Sequence, residues 1–333
     1  MMNELIRLVW ITLAQAFVVL FFSPLFNGVI QKTKALRTGR WGAPVVQPFY
    51  DLLKWFKKDV TLAETHSVLT VCVPYAVFTL MLLLNMSVPM ISTAVPIAWL
   101  SDVFVFIYVL ATVVVLLALA ALDQGGGFGA LGSSREMMLN FFIEGALMAT
   151  LLVIVYAGGT ESLALSIVTY GKVTNLGISY FLLLLAFFLL VVAEMGRIPV
   201  DNPDTHLELT MVHEGMVLEY SGRYLSLVMW TQMMKSWLFA SMFVNVFFPS
   251  WDLSKALAAF LIGQSNYETV SFAGTVLETL LGTIFLLLKM LALGIIIGWV
   301  ETTFAKMRLF KVPQLLGAAL MLALLSFLAS LTP

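Results

Sequence analysis

The sequence predicts an all-α membrane fold, a polytopic bundle of about eight transmembrane helices forming one domain over residues 1–333. Three observations predict it. Of the residues, 61% are hydrophobic and only 11% charged, apolar stretches of membrane-spanning length recur along the chain, and the basic residues collect in alternate connections. Crossing ~30 Å of hydrocarbon takes about 20 mostly apolar residues, because each backbone amide must be paired within its own segment.

The stretches fall near residues 5–30, 67–90, 98–122, 137–159, 178–196, 224–248, 275–300 and 313–331. The basic cluster of the first stretch follows it, the reverse of a secretion signal, so it reads as helix one. The connections 31–66, 123–136, 195–225 and 301–312 hold thirteen Lys and Arg, whereas the alternate connections and termini hold three, Arg7, Lys172 and Lys255. That asymmetry assigns the first set to the cytoplasm and both termini to the other side of an inner membrane. A net charge of −1 offers no bulk attraction for nucleic acid.

In the first cytoplasmic loop, Phe49, Leu52, Leu53 and Phe56 fall at i, i+3, i+4 and i+7, with Asp51, Lys54, Lys57 and Lys58 between them. This spacing predicts an amphipathic helix on the membrane surface, serving as a lipid anchor or as a dock for a cytoplasmic partner. Residues 127–132 have the glycine spacing of a dinucleotide site. A transmembrane stretch precedes them where a strand is needed, and no ribose-binding acid follows. They read instead as a turn, after which Ser133 and Glu136 form a capping box that starts helix four.

The densest polar feature holds Glu194, Asp201, Asp204, Glu208, Glu214 and Glu219, with His206 and His213 alongside. Leu207, Leu209, Met211, Val212, Met216, Val217 and Leu218 are interleaved with them, so the segment is expected to fold back against the bundle or a partner, where burial and mutual repulsion would raise carboxylate pKa values. A metal site built from His206, Glu208, His213 and Glu214 lacks the second histidine that a zincin helix requires, and the single cysteine, Cys72, cannot hold an iron-sulfur cluster. Redox metals are therefore expected in partner subunits. Within the apolar stretches stand Glu144, Lys235, Glu278 and Lys289. Each costs roughly 2.5–3.5 kcal/mol at mid-membrane and so needs a reason: an ion pair, lysine snorkelling, or a proton path. For Glu144 and Glu194 the reading is a proton path. Glu278 and Lys289, eleven residues apart, share a helix face at depths differing by ~16 Å.

The run Glu194-Met-Gly-Arg197-Ile-Pro199-Val-Asp201-Asn-Pro203, followed by Glu208-Leu209 and Glu219-Tyr220-Ser221-Gly222, resembles the membrane subunit shared by respiratory complex I (its H subunit or subunit one) and the group 4 membrane-bound nickel-iron hydrogenases. Residues 47–54, Gln-Pro-Phe-Tyr-Asp-Leu-Leu-Lys, add to the resemblance, which covers nearly the whole chain. The turn Gly132-Ser-Ser-Arg135-Glu136 and the run from Thr205 to Glu214 are similar to the hydrogenase branch, which includes formate hydrogenlyase and the energy-converting and carbon-monoxide-linked hydrogenases.

What the resemblance implies is a non-catalytic subunit that seats the hydrogenase small (iron-sulfur) and large (nickel-iron) subunits and a ferredoxin-like subunit, contacts antiporter-like membrane subunits, and binds no cofactor itself. Glu144 and Glu194 match its membrane acids and Asp201, Asp204, Glu208 and Glu219 the acids of its loop, with His206 among them, and the expected ion pathway adds Glu214, Lys235, Glu278 and Lys289 to these. Arg37, Arg40, Gln47, Asp51, Lys54, Arg135, Glu136, Arg197 and His213 would face the docked partners. His206 stands where complex I usually has an acid, which keeps a proton relay available while pointing away from quinone chemistry. The alternatives are a quinone-site H subunit of a complex I relative, a free-standing transporter, which predicts an inverted repeat, and a purely structural anchor.

Overall fold

The computed structural model describes residues 2–171, 177–201, 212–262 and 272–331, so Asp204, His206 and Glu208 lie outside the described residues. In chain order the α-helices are α1 (Met2–Arg37), α2 (Gln47–Phe56), α3 (Val68–Met86), α4 (Val103–Asp123), α5 (Gly127–Gly158), α6 (Leu163–Tyr170), α7 (Ile178–Glu194), α8 (His213–Val217), α9 (Gly222–Phe247), α10 (Trp251–Ile262), α11 (Phe272–Thr303) and α12 (Val312–Leu331). Long helices occupy all eight expected positions. Six of them, α1, α3, α4, α5, α11 and α12, are long and apolar enough to cross a membrane, and α7 is a shorter apolar helix.

The eighth, α9, differs in kind. It carries Arg223 and Lys235, yet every residue from Ser236 to Phe247 is buried, because α1, α2, α3, α6, α7 and α11 all pack against it. A helix surrounded by protein can carry polar groups that a lipid-facing helix cannot, since neighbouring helices supply their partners.

Two local features hold the other helices close. On α11, Gly294 and Gly298 lie one turn apart, and a Cβ built at Gly298 would come within 2.9 Å of Thr33 on α1. The missing side chains let α1 and α11 approach backbone to backbone. After α3, residues 87–92 are buried without being helical. Non-helical backbone survives at such a place only when its polar groups find partners. Gln15 Nε2 donates to the carbonyls of Asn85 at 2.7 Å and Val88 at 2.8 Å, and Asn245 Nδ2 donates to those of Pro89 at 3.1 Å and Met90 at 3.2 Å.

The amphipathic stretch forms α2 as expected. Leu52 is buried beneath it, Phe49 packs on Phe21 of α1 and Phe56 on Trp230 of α9, while Tyr50, Leu53 and Lys54 stay exposed.

The start of helix four is a correction. The glycine-rich residues form no turn and Ser133 caps no helix; α5 begins at Gly127, and Ser133 lies inside it, its hydroxyl donating to the Gly129 carbonyl at 2.7 Å. The glycines serve packing instead. A Cβ at Gly132 would fall 2.9 Å from the Val212 carbonyl and 3.0 Å from the Met216 amide of the segment around α8. Glu144 consequently lies seventeen residues into its helix, about 26 Å from the start at 1.5 Å per residue.

Candidate ion-coupling site

Helix α7 ends at Glu194 because the chain turns at Gly196, whose φ of 60° suits a residue without a side chain. A carboxylate at a helix C-terminus faces the negative end of the helix dipole, so it needs a cation nearby. Lys235 of α9 provides it. Its ammonium stands 2.6 Å from Glu194 Oε2, with only 4% of the Glu194 side chain and 14% of the Lys235 side chain exposed.

Around this pair lie three more ionisable groups. Lys235 is within electrostatic reach of Glu136 and Glu144 on α5. Asn140 donates through its amide to Glu144, one turn further along that helix. Glu136 Oε1 lies 3.8 Å from Nδ1 of His213, at the start of α8. Glu136 and His213, read from sequence as partner-facing, thus turn inward, each with 17% of the side chain exposed.

A second layer fixes the segment that follows α7. Arg197 is buried and donates to Asn27 Oδ1 of α1 at 2.6 Å and to Glu301 Oε1 of α11 at 3.3 Å. Asp201 pairs with Lys306 at 2.7 Å, and the Met307 amide donates to the Pro199 carbonyl at 2.9 Å. Residues 194–201 are therefore tied to α1, α9, α11 and the connection before α12. Asn27, Glu301 and Lys306 had no role in the sequence reading. Glu301 carried the one available signal, an acid closing a long apolar stretch.

Two cavities adjoin the cluster. The larger, about 940 Å³, is lined by Asn27, Arg197, Asp201, His213 and Glu214 together with apolar side chains such as Met229. The smaller, about 20 Å³, is bounded by Glu136, His213 and Lys235 and by apolar residues of α4.

The remaining sequence-derived residues lie elsewhere. Lys289 donates to Asn245 Oδ1 at 2.8 Å and to the Phe248 carbonyl at 3.0 Å, at the far end of α9, and Glu278 is half-buried three turns back along α11. Glu219 is exposed. Arg37 lies exposed over the Trp299 ring, Arg40 is exposed at the large cavity, and Gln47 donates to Asp51 at 3.0 Å on α2. Arg135 is half-buried on α5. Among the described residues no group of three or more His, Cys, Asp or Glu side chains is placed to hold a metal ion.

Fold and site together define a multi-pass helical membrane protein with a cluster of charged side chains enclosed by its helices. Residues 9–331 match the NADH dehydrogenase family, and the chain belongs to that family, which includes subunit one of complex I. It is 33% identical over 242 residues to hydrogenase-4 component C of Escherichia coli, covering 73% of this chain and 76% of that protein. It is 27% identical over 320 residues to formate hydrogenlyase subunit 4 of the same organism, covering 96% and 97%. An H subunit of the NADH-quinone oxidoreductase of Symbiobacterium thermophilum is 25% identical over 306 residues, covering 90% of this chain and 84% of that one. A chain of the archaeal membrane-bound sulfane sulfur reductase shares the fold, with a TM-score of 0.75 at 19% identity over 97% of this chain and 99% of that one.

Proposed function

We propose that this chain is the membrane-anchoring and ion-coupling subunit of a hydrogen-evolving, membrane-bound nickel-iron hydrogenase complex of the inner membrane. In this reading it seats the iron-sulfur and nickel-iron subunits on its cytoplasmic face, with both termini on the opposite side, and links their electron transfer to proton or sodium movement. The names of the two Escherichia coli relatives support the hydrogenase branch. The observation that carries the coupling role is the Glu194–Lys235 pair, enclosed within the bundle and flanked by Glu136 and Glu144. An anchor alone has no use for buried charges that cost several kcal/mol each.

The pair sits at the end of α7, where a segment bound to four other elements begins. A change of charge at a partner docked on that segment would shift the balance between Glu194 and Lys235, and protonation of Glu194 would release the ammonium toward Glu136 and Glu144. Asp201, Glu214 and Glu219 would supply acids at the cytoplasmic mouth of the path, with Lys289 and Glu278 toward the other side.

The test is a vesicle assay of the whole complex. Glu194→Gln is expected to abolish ion movement coupled to hydrogen evolution, and wild-type coupling in that variant would refute the assignment. A second reading, a quinone-site H subunit, is favoured by the 940 Å³ cavity and by the Symbiobacterium relative. Purifying the tagged chain with its partners separates the two: nickel in the complex supports the hydrogenase reading, and quinone reduction without nickel supports the other.

A further inference from the structure

We infer that His213 is the residue through which protons pass between the large cavity and the enclosed cluster of Glu136, Glu194 and Lys235, an assignment that rests on the ion-coupling reading above. Among the described residues, only His213 and Gln232 line both cavities. Of these two side chains only an imidazole exchanges protons near neutral pH.

The ring has a use for each nitrogen. Nδ1 faces Glu136 Oε1 at 3.8 Å, and Nε2 is buried without a hydrogen-bond partner among the described residues. The gap to Glu136 is too long for a direct hydrogen bond. The adjoining cavity of about 20 Å³ has room for one water, and Glu136, His213, Lys235, Thr231 and Gln232 give that water polar neighbours. Among the described residues, the charged groups that share the two cavities with the ring are Glu136 from α5 and Lys235 from α9, with its partner Glu194 from α7, on the small side, and Lys34, Arg40, Arg197, Asp201 and Glu214 on the large one. From α4 come only Val113, Val114 and Leu117.

The transfer balances without any redox step. Nε2 takes a proton from the large cavity, giving an imidazolium. Nδ1 then releases its proton through the water to the Glu136 carboxylate, which leaves the ring neutral with its hydrogen on Nε2, and a half-turn of the ring resets it for the next proton. Glu136 carries the proton on toward Glu194, while Lys235 keeps its own proton and offsets the repulsion between the two carboxylates.

The test uses inverted vesicles holding the whole complex in sodium-free buffer, with protons moved per hydrogen formed read by a pH-sensitive dye. His213→Gln is expected to lower that ratio at least about tenfold. Val228→Ile, which adds a methylene to the wall of the small cavity and leaves the imidazole in place, is expected to lower it as well. A wild-type ratio in His213→Gln beside a lost ratio in Glu194→Gln would overturn the His213 assignment alone. Wild-type ratios in both would overturn the ion-coupling reading too, and wild-type vesicles that move no protons would overturn the proton step. Should His213→Gln fail to assemble, Val228→Ile decides: an unchanged ratio refutes the inference and a lowered one supports it.

Discussion

Lys235 and Glu194 each sit where either one alone would be expensive. An ion pair removed from water repays its desolvation only when both charges are present, and removing one partner typically costs about 3–5 kcal/mol. Lys235→Met should therefore lower the thermal midpoint of the detergent-solubilised complex markedly, whereas the double variant Lys235→Met, Glu194→Gln should recover most of the loss. A double variant whose loss is the sum of the two single losses would mean that the pair contributes nothing as a pair. The sequence marked Lys235 as a charge within an apolar stretch and Glu194 as the first acid of a dense polar run, because charge and hydropathy are local properties. It did not reveal that they meet: one lies on α7 and the other forty-one positions later on α9, and only packing brings them to 2.6 Å. The same limit hid Arg197, whose basic side chain in a cytoplasmic connection read as partner-facing and whose buried partners, Asn27 and Glu301, lie on helices distant in sequence.

At the scale of elements, periodicity and apolar length recovered every long helix. Boundaries were less legible: α1 runs on to Arg37, α3 stops at Met86, and α5 starts at Gly127. The run at 127–132 carries residues that weaken isolated helices by about 1 kcal/mol each relative to alanine, so a turn was the local expectation. Tertiary packing overrides that preference, because α8 lies so close against Gly132 that nothing larger fits. Gly132→Val should push α8 away from α5, widen the distance between His213 and Glu136, and cost roughly 1–3 kcal/mol as an overpacked contact. Protease sensitivity of the 212–220 stretch in the assembled complex would report it. Gly145 on the same helix, where an added Cβ meets no atom within 4 Å, is the control, and its alanine variant should behave as wild type.

For the whole molecule, the arrangement is one central helix, α9, enclosed by elements that precede it and one that follows it in the chain. Composition foretold a membrane bundle because hydrocarbon constrains every outer helix alike. It could not foretell the centre, because a helix buried in protein is released from that constraint and need not be apolar enough to cross a membrane by itself. Lys235 marks the consequence.

That consequence falls on biogenesis. A helix bearing a lysine near its middle is a poor substrate for lateral release from the translocon into lipid, since the charge alone costs about 2.5–3.5 kcal/mol there. The neutralising carboxylate, Glu194, belongs to α7, which is synthesised first. The chain should therefore deliver α9 by pairing it with a helix already waiting beside the exit site. In a glycosylation-mapping assay, α9 presented alone should insert inefficiently, α7 and α9 presented together should insert well, and Glu194→Gln in the longer segment should return α9 to its solitary behaviour.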